Sequence, residues 1–111
     1  MTALRVLAPG DRGDPSWAEA HSIAEVEELV RAGRTVVVTP AELAREGGRS
    51  GVSGDPEDPG EAAELAAASL CAWAGARIFR TARPDQVRLA VEMTESLAGR
   101  RPPALTRRGL A

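Results

Sequence analysis

Apolar residues along the chain occur in short continuous runs separated by longer periodic segments. Residues 4–8 and 35–38 are such runs, and the second is β-branched throughout. Both predict strands, and residues 77–80 predict a third. A continuous run such as residues 35–38 is typical of a strand that is covered on both faces, as in a parallel sheet. That strand is therefore expected to be buried on both faces.

Helical periodicity fills the segments between these strands. Ser22 and Glu25 form a capping box at the start of one helix. Further helices are predicted over 40–46, over 61–74 and over 84–98. Strands that alternate with helices predict an α/β fold, here a three-stranded parallel sheet with right-handed crossovers.

The helix predicted over 61–74 is almost wholly apolar. Such a helix must be covered on nearly every side, by its own sheet and by something else. Trp73 is expected to be buried in a core or at a subunit contact, and Cys71 is expected to be a buried, inert thiol. The apolar helix and the open edges of a three-stranded sheet predict self-association or a protein partner.

The organisation of the chain is simple. Residues 1–99 are predicted to form a single α/β domain, and residues 100–111 an extended or disordered tail. Residues 47–60 are rich in Gly, Pro, Ser and Asp and predict a loop, in which Asp58 is expected to cap the apolar helix.

Composition narrows the possible chemistry. The 111 residues include no lysine, tyrosine or asparagine, which removes Schiff-base chemistry and lysine-held phosphate. The formal charge of −2 gives no pull toward nucleic acid or an anionic membrane. No apolar run approaches the ~20 residues that span a bilayer. The first residues lack the pattern of a signal peptide, so a cytoplasmic protein is expected.

Candidate sites outside the strand ends are weak. His21 has no cysteine or second histidine to form a metal set. An acidic turn is favoured over a metal site for residues 55–58, and a flexible linker over a phosphate nest for residues 47–54. A solvated tail is favoured over nucleic-acid binding for the arginines of 100–108. We therefore expect no metal, no cofactor and no nucleic acid.

One segment resembles a known family. ELAAASLCAWAGARIFRT, followed by DQVRLAVEM, is similar to the C-terminal end of the dihydropteroate synthases. Those enzymes are (β/α)8 barrels that end in an alanine-rich helix, a Gly-Ala pair, a strand closing with Arg-x-His, and a last helix. Upstream, LRVLAPG resembles the family's Leu-Asp-Pro-Gly strand and VVVTPAEL its Gly-x-Ser-Arg-Lys strand. The resemblance implies roughly the last three β/α units of such a barrel.

The departures from the family pattern concern its binding groups. The resemblance places Ala8 where an aspartate holds the pterin, and Ala82 where a histidine follows the strand-end arginine. Ala41, Glu42 and Leu43 stand in place of Ser-Arg-Lys, and the chain has no lysine to fill that role. Capture of a leaving pyrophosphate depends on several preorganised cations. The chain is therefore not expected to catalyse the family reaction alone.

Arg80 keeps the strand-end arginine of the family. The resemblance implies an anion contact that binds pyrophosphate; the alternative is a surface arginine paired with a loop carboxylate such as Asp85. The leading hypothesis is a non-catalytic relative that acts through self-association or with a partner such as a full-length synthase. The second is a pterin- or pyrophosphate-binding subunit in folate biosynthesis, whose transferase site another chain completes.

Overall fold

A computed structural model describes residues 3–47 and 59–100. Its strands are β1 (Arg5–Leu7), β2 (Ala18–Glu19), β3 (Val36–Val38) and β4 (Ile78–Arg80). Its helices are α1 (Ile23–Arg31), α2 (Pro40–Gly47), α3 (Glu61–Ala74) and α4 (Pro84–Leu97). The predicted loop over 47–60 and the predicted tail lie almost wholly outside the described residues.

The strands form one parallel sheet in the order β1-β4-β3-β2. The α/β class and the parallel sheet are confirmed. The prediction of three strands is wrong by one, because Ala18 and Glu19 pair with Val36 and Val37 at the edge of the sheet. A two-residue strand with one acidic member has no apolar run by which a sequence pattern could reveal it.

The strand order differs at one point from that of three consecutive units in a barrel. Three consecutive β/α units would place β3 between β1 and β4, whereas β4 lies between the other two. A closed barrel pairs its first strand with its last. The position of residues 4–10 in the sheet therefore differs from that of the first of three consecutive units. The comparison of these residues with the Leu-Asp-Pro-Gly strand, and with it the placing of Ala8 at the pterin, stays a prediction.

All the helices lie against one face of the sheet, here called the outer face. Val36, Val38 and Phe79 of the strands meet the buried side chains of the helices there. The helix residues in this core are Val26, Ala68, Cys71, Ala72, Val87 and Val91. Every residue of β3 is buried, as its apolar sequence predicts.

Gly75 joins α3 directly to β4. Its φ of 114° lies in the left-handed region, and a Cβ at this position would lie 3.0 Å from Val30. The N–H of Gly75 donates to the carbonyl of Ala72, and the N–H of Ala76 donates to that of Cys71. These bonds close the end of α3 and turn the chain into the sheet, so both the φ and the space require glycine.

The opposite, inner face of the sheet is partly covered by Trp17, which stands at the end of the segment that follows β1. Leu7, Val37 and Ile78 form a second buried cluster, and Trp17 packs against it. Turns hold the segment in place, since Asp14 accepts hydrogen bonds from the N–H and hydroxyl of Ser16. Trp17 is thus the large apolar side chain that packs against this cluster.

The structure bears on three predictions about the helices. Trp73 is 59% exposed, so it does not lie in the core of the single chain, and the predicted subunit contact stays a prediction. The N-cap of α3 is Gly60, without a side-chain bond, rather than Asp58, which lies outside the described residues. The capping box at Ser22 is confirmed, because Ser22 Oγ accepts from the N–H of Glu25.

A buried carboxylate ties the helices together at the amino ends of the strands. Glu95 of α4 is 1% exposed and accepts hydrogen bonds from Arg77 at 2.6 Å and Arg100 at 2.7 Å. Arg100 also donates to the carbonyl of Ala72 at the end of α3, which has no basic residue in its own last turn. Burial raises the pKa of Glu95, but the hydrogen bonds from Arg100 and Arg77 outweigh it and hold the pKa below its usual range.

Trp17→Ala should expose the inner face of the sheet. We expect a loss of about 2 kcal/mol in the free energy of unfolding, less than a fully buried tryptophan would give because Trp17 is only partly buried. Urea unfolding measures it. Trp17→Phe is the matched control and should lose less than half as much. If both variants lost the same small amount of unfolding free energy, Trp17 would not be protecting the inner face of the sheet.

Glu95→Gln should lower stability at neutral pH by about 2 kcal/mol, because two guanidinium groups lose their carboxylate. The lowered pKa means that the carboxylate stabilises the fold fully above its ordinary pKa of 4.5, and that this contribution is lost as the pH falls through the lowered value. The variant should therefore lose less stability than wild type on acidification. Urea unfolding at neutral pH and at pH about 3 measures both effects, and exposed Glu61→Gln is the control. If the stability of Glu95→Gln and that of wild type fell by the same amount on acidification, the proposed role of the carboxylate would be wrong.

Candidate functional site

A cleft of about 490 Å³ lies at the carboxyl ends of β3 and β4. Sites in barrels and in open parallel sheets form at this edge. The cleft is built from the residues that follow the two strands and from the first turn of α3. Its lining residues are Thr39, Ala41, Glu64, Arg80, Thr81, Ala82 and Arg83.

Arg80 ends β4 on the inner face of the sheet. Its Nη1 donates to Glu19 Oε2 at 2.6 Å, and the pair reaches from β4 across β3 to β2. Gly13 lies against the same guanidinium, since a Cβ at that position would be 3.2 Å from Nη2. The strand-end arginine is therefore in the cleft, as predicted, but it is already engaged by a carboxylate.

Arg83 belongs to a second, more buried group on the other side of the cleft. Glu64 is 2% exposed and accepts from Arg83 Nη1 at 2.7 Å and from the hydroxyl of Thr81 at 2.5 Å. The Thr81 hydroxyl also accepts from the N–H of Arg83 at 2.9 Å. These bonds fix the loop after β4 against α3, and they use the donors and acceptors of Thr81.

The electrostatics of the cleft follow from these two pairs. Among the described residues of its lining the cations are Arg80 and Arg83, and each faces a glutamate at hydrogen-bond distance. The formal charges of the four groups cancel. An anion that entered would compete with Glu19 and Glu64 for guanidinium donors that are already oriented elsewhere. In residues 3–47 and 59–100 the cleft therefore has no uncompensated positive charge of the kind on which capture of pyrophosphate depends.

The remaining residues named by the family resemblance also have clear positions. Ala41 and Ala82 present only methyl groups to the cleft. Leu43 packs against the outer core instead of facing the cleft. Asp85, the carboxylate suggested as an alternative partner of Arg80, lies 3.5 Å from Arg88, so the partner of Arg80 is Glu19.

Sequence reasoning missed the two glutamates of this site. The burial of Glu64 had one indication in the sequence, because it is an acidic residue within an otherwise apolar helix. Together with Glu61, however, it looks like the ordinary acidic first turn of a helix. Glu19 carried none, because its partner Arg80 is 61 residues away. The strand order determines which residues so distant in sequence come together. The pattern of apolar and polar residues along the chain did not predict that order.

The other candidates are accounted for by ordinary structure. Burial raises the pKa of the Cys71 thiol to about 12, so it stays protonated at neutral pH. His21 Nδ1 lies 3.9 Å from Glu42 Oε1 on the surface. Among residues 3–47 and 59–100, no three His, Cys, Asp or Glu side chains form a group that could hold a metal ion. In the same part of the chain no helix has the length and apolarity needed to cross a membrane.

Comparison with known proteins gives a likeness of fold. No protein-family model matches the chain, and no curated protein sequence matches it. Among solved structures, the dihydropteroate synthase of Yersinia pestis is similar, with a TM-score of 0.53 at 16% sequence identity. The match covers 85% of this chain and 43% of that one. The chain thus has the fold of a part of that barrel.

Proposed function

We propose that this chain is a non-catalytic protein related to dihydropteroate synthase, and that it acts through protein contacts with a second copy of itself or with a partner such as a full-length synthase. The observation that carries the proposal is the apolar outward face of the helix layer. Leu70 and Trp73 of α3 are 60% and 59% exposed, and α4 adds three more large apolar side chains. Apolar surface on this scale marks a contact site in soluble proteins.

The cleft supports the non-catalytic part of the proposal. Its two arginines are neutralised by Glu19 and Glu64, and the family's lysine and histidine have no counterpart in it. The inner face of the sheet, which forms the packed interior of a complete barrel, is here in contact with Trp17.

A second candidate is an anion-binding subunit whose site another chain completes. The specific observation in its favour is that Arg80 and Arg83 line one cleft at the strand ends. A partner that drew Glu19 away would release Arg80 for pyrophosphate. On this alternative, pterin pyrophosphate or phosphate would be the ligand, and the chain would contribute arginines to a shared site.

The mass of the purified protein in solution tests the first proposal. Sedimentation equilibrium from low to high micromolar concentration should give twice the chain mass of 11.6 kDa, or a heavier complex when a full-length synthase is added. No turnover of pterin pyrophosphate and aminobenzoate is expected from the chain alone. A monomer at every concentration that also fails to bind a synthase would refute the proposal, as would turnover.

Calorimetric titration with inorganic pyrophosphate and with pterin pyrophosphate tests the second candidate. Binding should be weak in wild type and stronger by about tenfold in Glu19→Gln, because the variant frees the Arg80 guanidinium. Arg80→Ala should abolish it. Arg88→Ala is the control, since Arg88 lies outside the cleft. Unchanged binding in Arg80→Ala, or no binding in Glu19→Gln, would eliminate this candidate.

A further inference from the structure

The chain between β1 and β2 crosses the sheet from one edge to the other, because these strands are the outer members of the order β1-β4-β3-β2. The connecting residues, 9–17, are here called the strap. Two contacts show that the strap passes on the inner side of the sheet. Trp17 packs on the inner cluster, and a Cβ on Gly13 would lie 3.2 Å from Arg80 Nη2. The strap therefore meets the strand-end arginine near its middle.

Side chains of the strands connect the strap to the sheet. Within the strap, the N–H of Trp17 donates to the carbonyl of Asp14 at 3.0 Å. A turn of this kind shapes the segment but does not attach it to anything else. Attachment comes from β1 and β4, since Arg5 lies 5.8 Å from the centre of the Trp17 ring and Arg80 lies against Gly13.

Glu19 holds the Arg80 guanidinium in this position. In the sheet Val37 pairs with Glu19 on one side and with Ile78 on the other. Arg80 is two residues after Ile78, so Arg80 and Glu19 are on the same, inner face. Their bond of 2.6 Å, from Nη1 to Oε2, crosses β3, while Nη2 faces Gly13. One guanidinium thus joins the edge strand β2 to the strap.

The two ion pairs of the cleft differ in how easily they can open. The side chains of Arg80 and Glu19 are 39% and 51% exposed, whereas those of Arg83 and Glu64 are 26% and 2% exposed. Water replaces an exposed charged hydrogen bond at little cost. Breaking a buried pair leaves an uncompensated charge in the protein. The Arg80–Glu19 pair is therefore the one that can open and close reversibly.

We infer that Arg80 and Glu19 form a latch that keeps the strap against the inner face of the sheet, and that opening of this latch exposes the Arg80 guanidinium and the Trp17 ring together. This role differs from the anion contact that the family resemblance implies for Arg80. It belongs to the single chain, so it goes beyond the proposed function and does not depend on self-association or on a partner.

Limited trypsin digestion tests the latch, because the strap contains an exposed cleavage site after Arg12. A protease cuts the open form, so the cleavage rate follows the population of that form. Glu19→Gln should speed cleavage at Arg12 about threefold, which is the effect of losing an exposed ion pair. Cleavage after Arg77, at the start of the central strand β4, should stay unchanged because it requires unfolding of the sheet. Mass spectrometry distinguishes the two sites.

A double-mutant cycle tests whether the pair itself is the cause. Arg80→Ala should speed cleavage at Arg12 about tenfold, because it also removes the side chain against Gly13. The double variant with Glu19→Gln should be no faster than Arg80→Ala alone. Asp85→Asn is the matched control. It breaks another exposed ion pair, at 3.5 Å on α4, and should leave cleavage at Arg12 unchanged.

Fluorescence follows the inner face directly. The chain has two tryptophans, so Trp73→Phe leaves Trp17 as the single fluorescent reporter. On this background Glu19→Gln should increase acrylamide quenching of Trp17, because the latch is open more often. Asp85→Asn on the same background should leave the quenching unchanged.

Three results would overturn the inference. Equal acceleration at Arg12 and Arg77 in Glu19→Gln, or acceleration at neither, would show that the pair is not a local latch. Independent effects of Glu19→Gln and Arg80→Ala would show that the two residues do not act together. Unchanged quenching of Trp17 would separate the strap from the inner face. Each of these results leaves the proposed function standing, since that proposal is tested by the mass in solution.

Discussion

A parallel sheet has two apolar faces, and the fold of this chain depends on covering both of them. The helices cover the outer face through the core around Val36, Val38 and Phe79. On the inner face, where a closed barrel would supply its other strands, Trp17 packs on Leu7, Val37 and Ile78. Trp17 therefore gives this sheet part of the cover that the other strands give in a complete barrel.

Local sequence determines much of this fold, and the sequence predicted that part. The β-branched run of β3, the capping box at Ser22 and the Gly75 junction each depend on residues close together in the chain. The strand order and the fourth strand depend on contacts between distant segments. A two-residue strand is formed by its neighbour rather than by its own composition, so no pattern within residues 18–19 reveals it.

The candidate site shows the same division. Arg80 was predicted at the strand end, because its place follows from the strand that it terminates. Its partner Glu19, and the buried pairing of Glu64 with Arg83, depend on which helix and which strand lie side by side. An acidic residue in a helix is usually solvated, so burial of Glu64 and Glu95 had no clear signal. Because these charges are paired, the described lining of the cleft is neutral. The exposed apolar side chains on the outward face of the helix layer are a separate feature, which packing within a single chain does not explain.

Arg100 shows that the fold extends beyond its last helix. α4 ends at Leu97, and the sequence assigned residue 100 to the tail, yet the guanidinium of Arg100 holds Glu95 and closes the final carbonyls of α3. The C-termini of the two long helices are thus joined by a side chain from the segment that leaves the domain. Any shortened version of the protein, or any tag fused at this end, must keep that arginine, since cutting at the helix boundary would open the base of the helix layer although no helical residue had been removed.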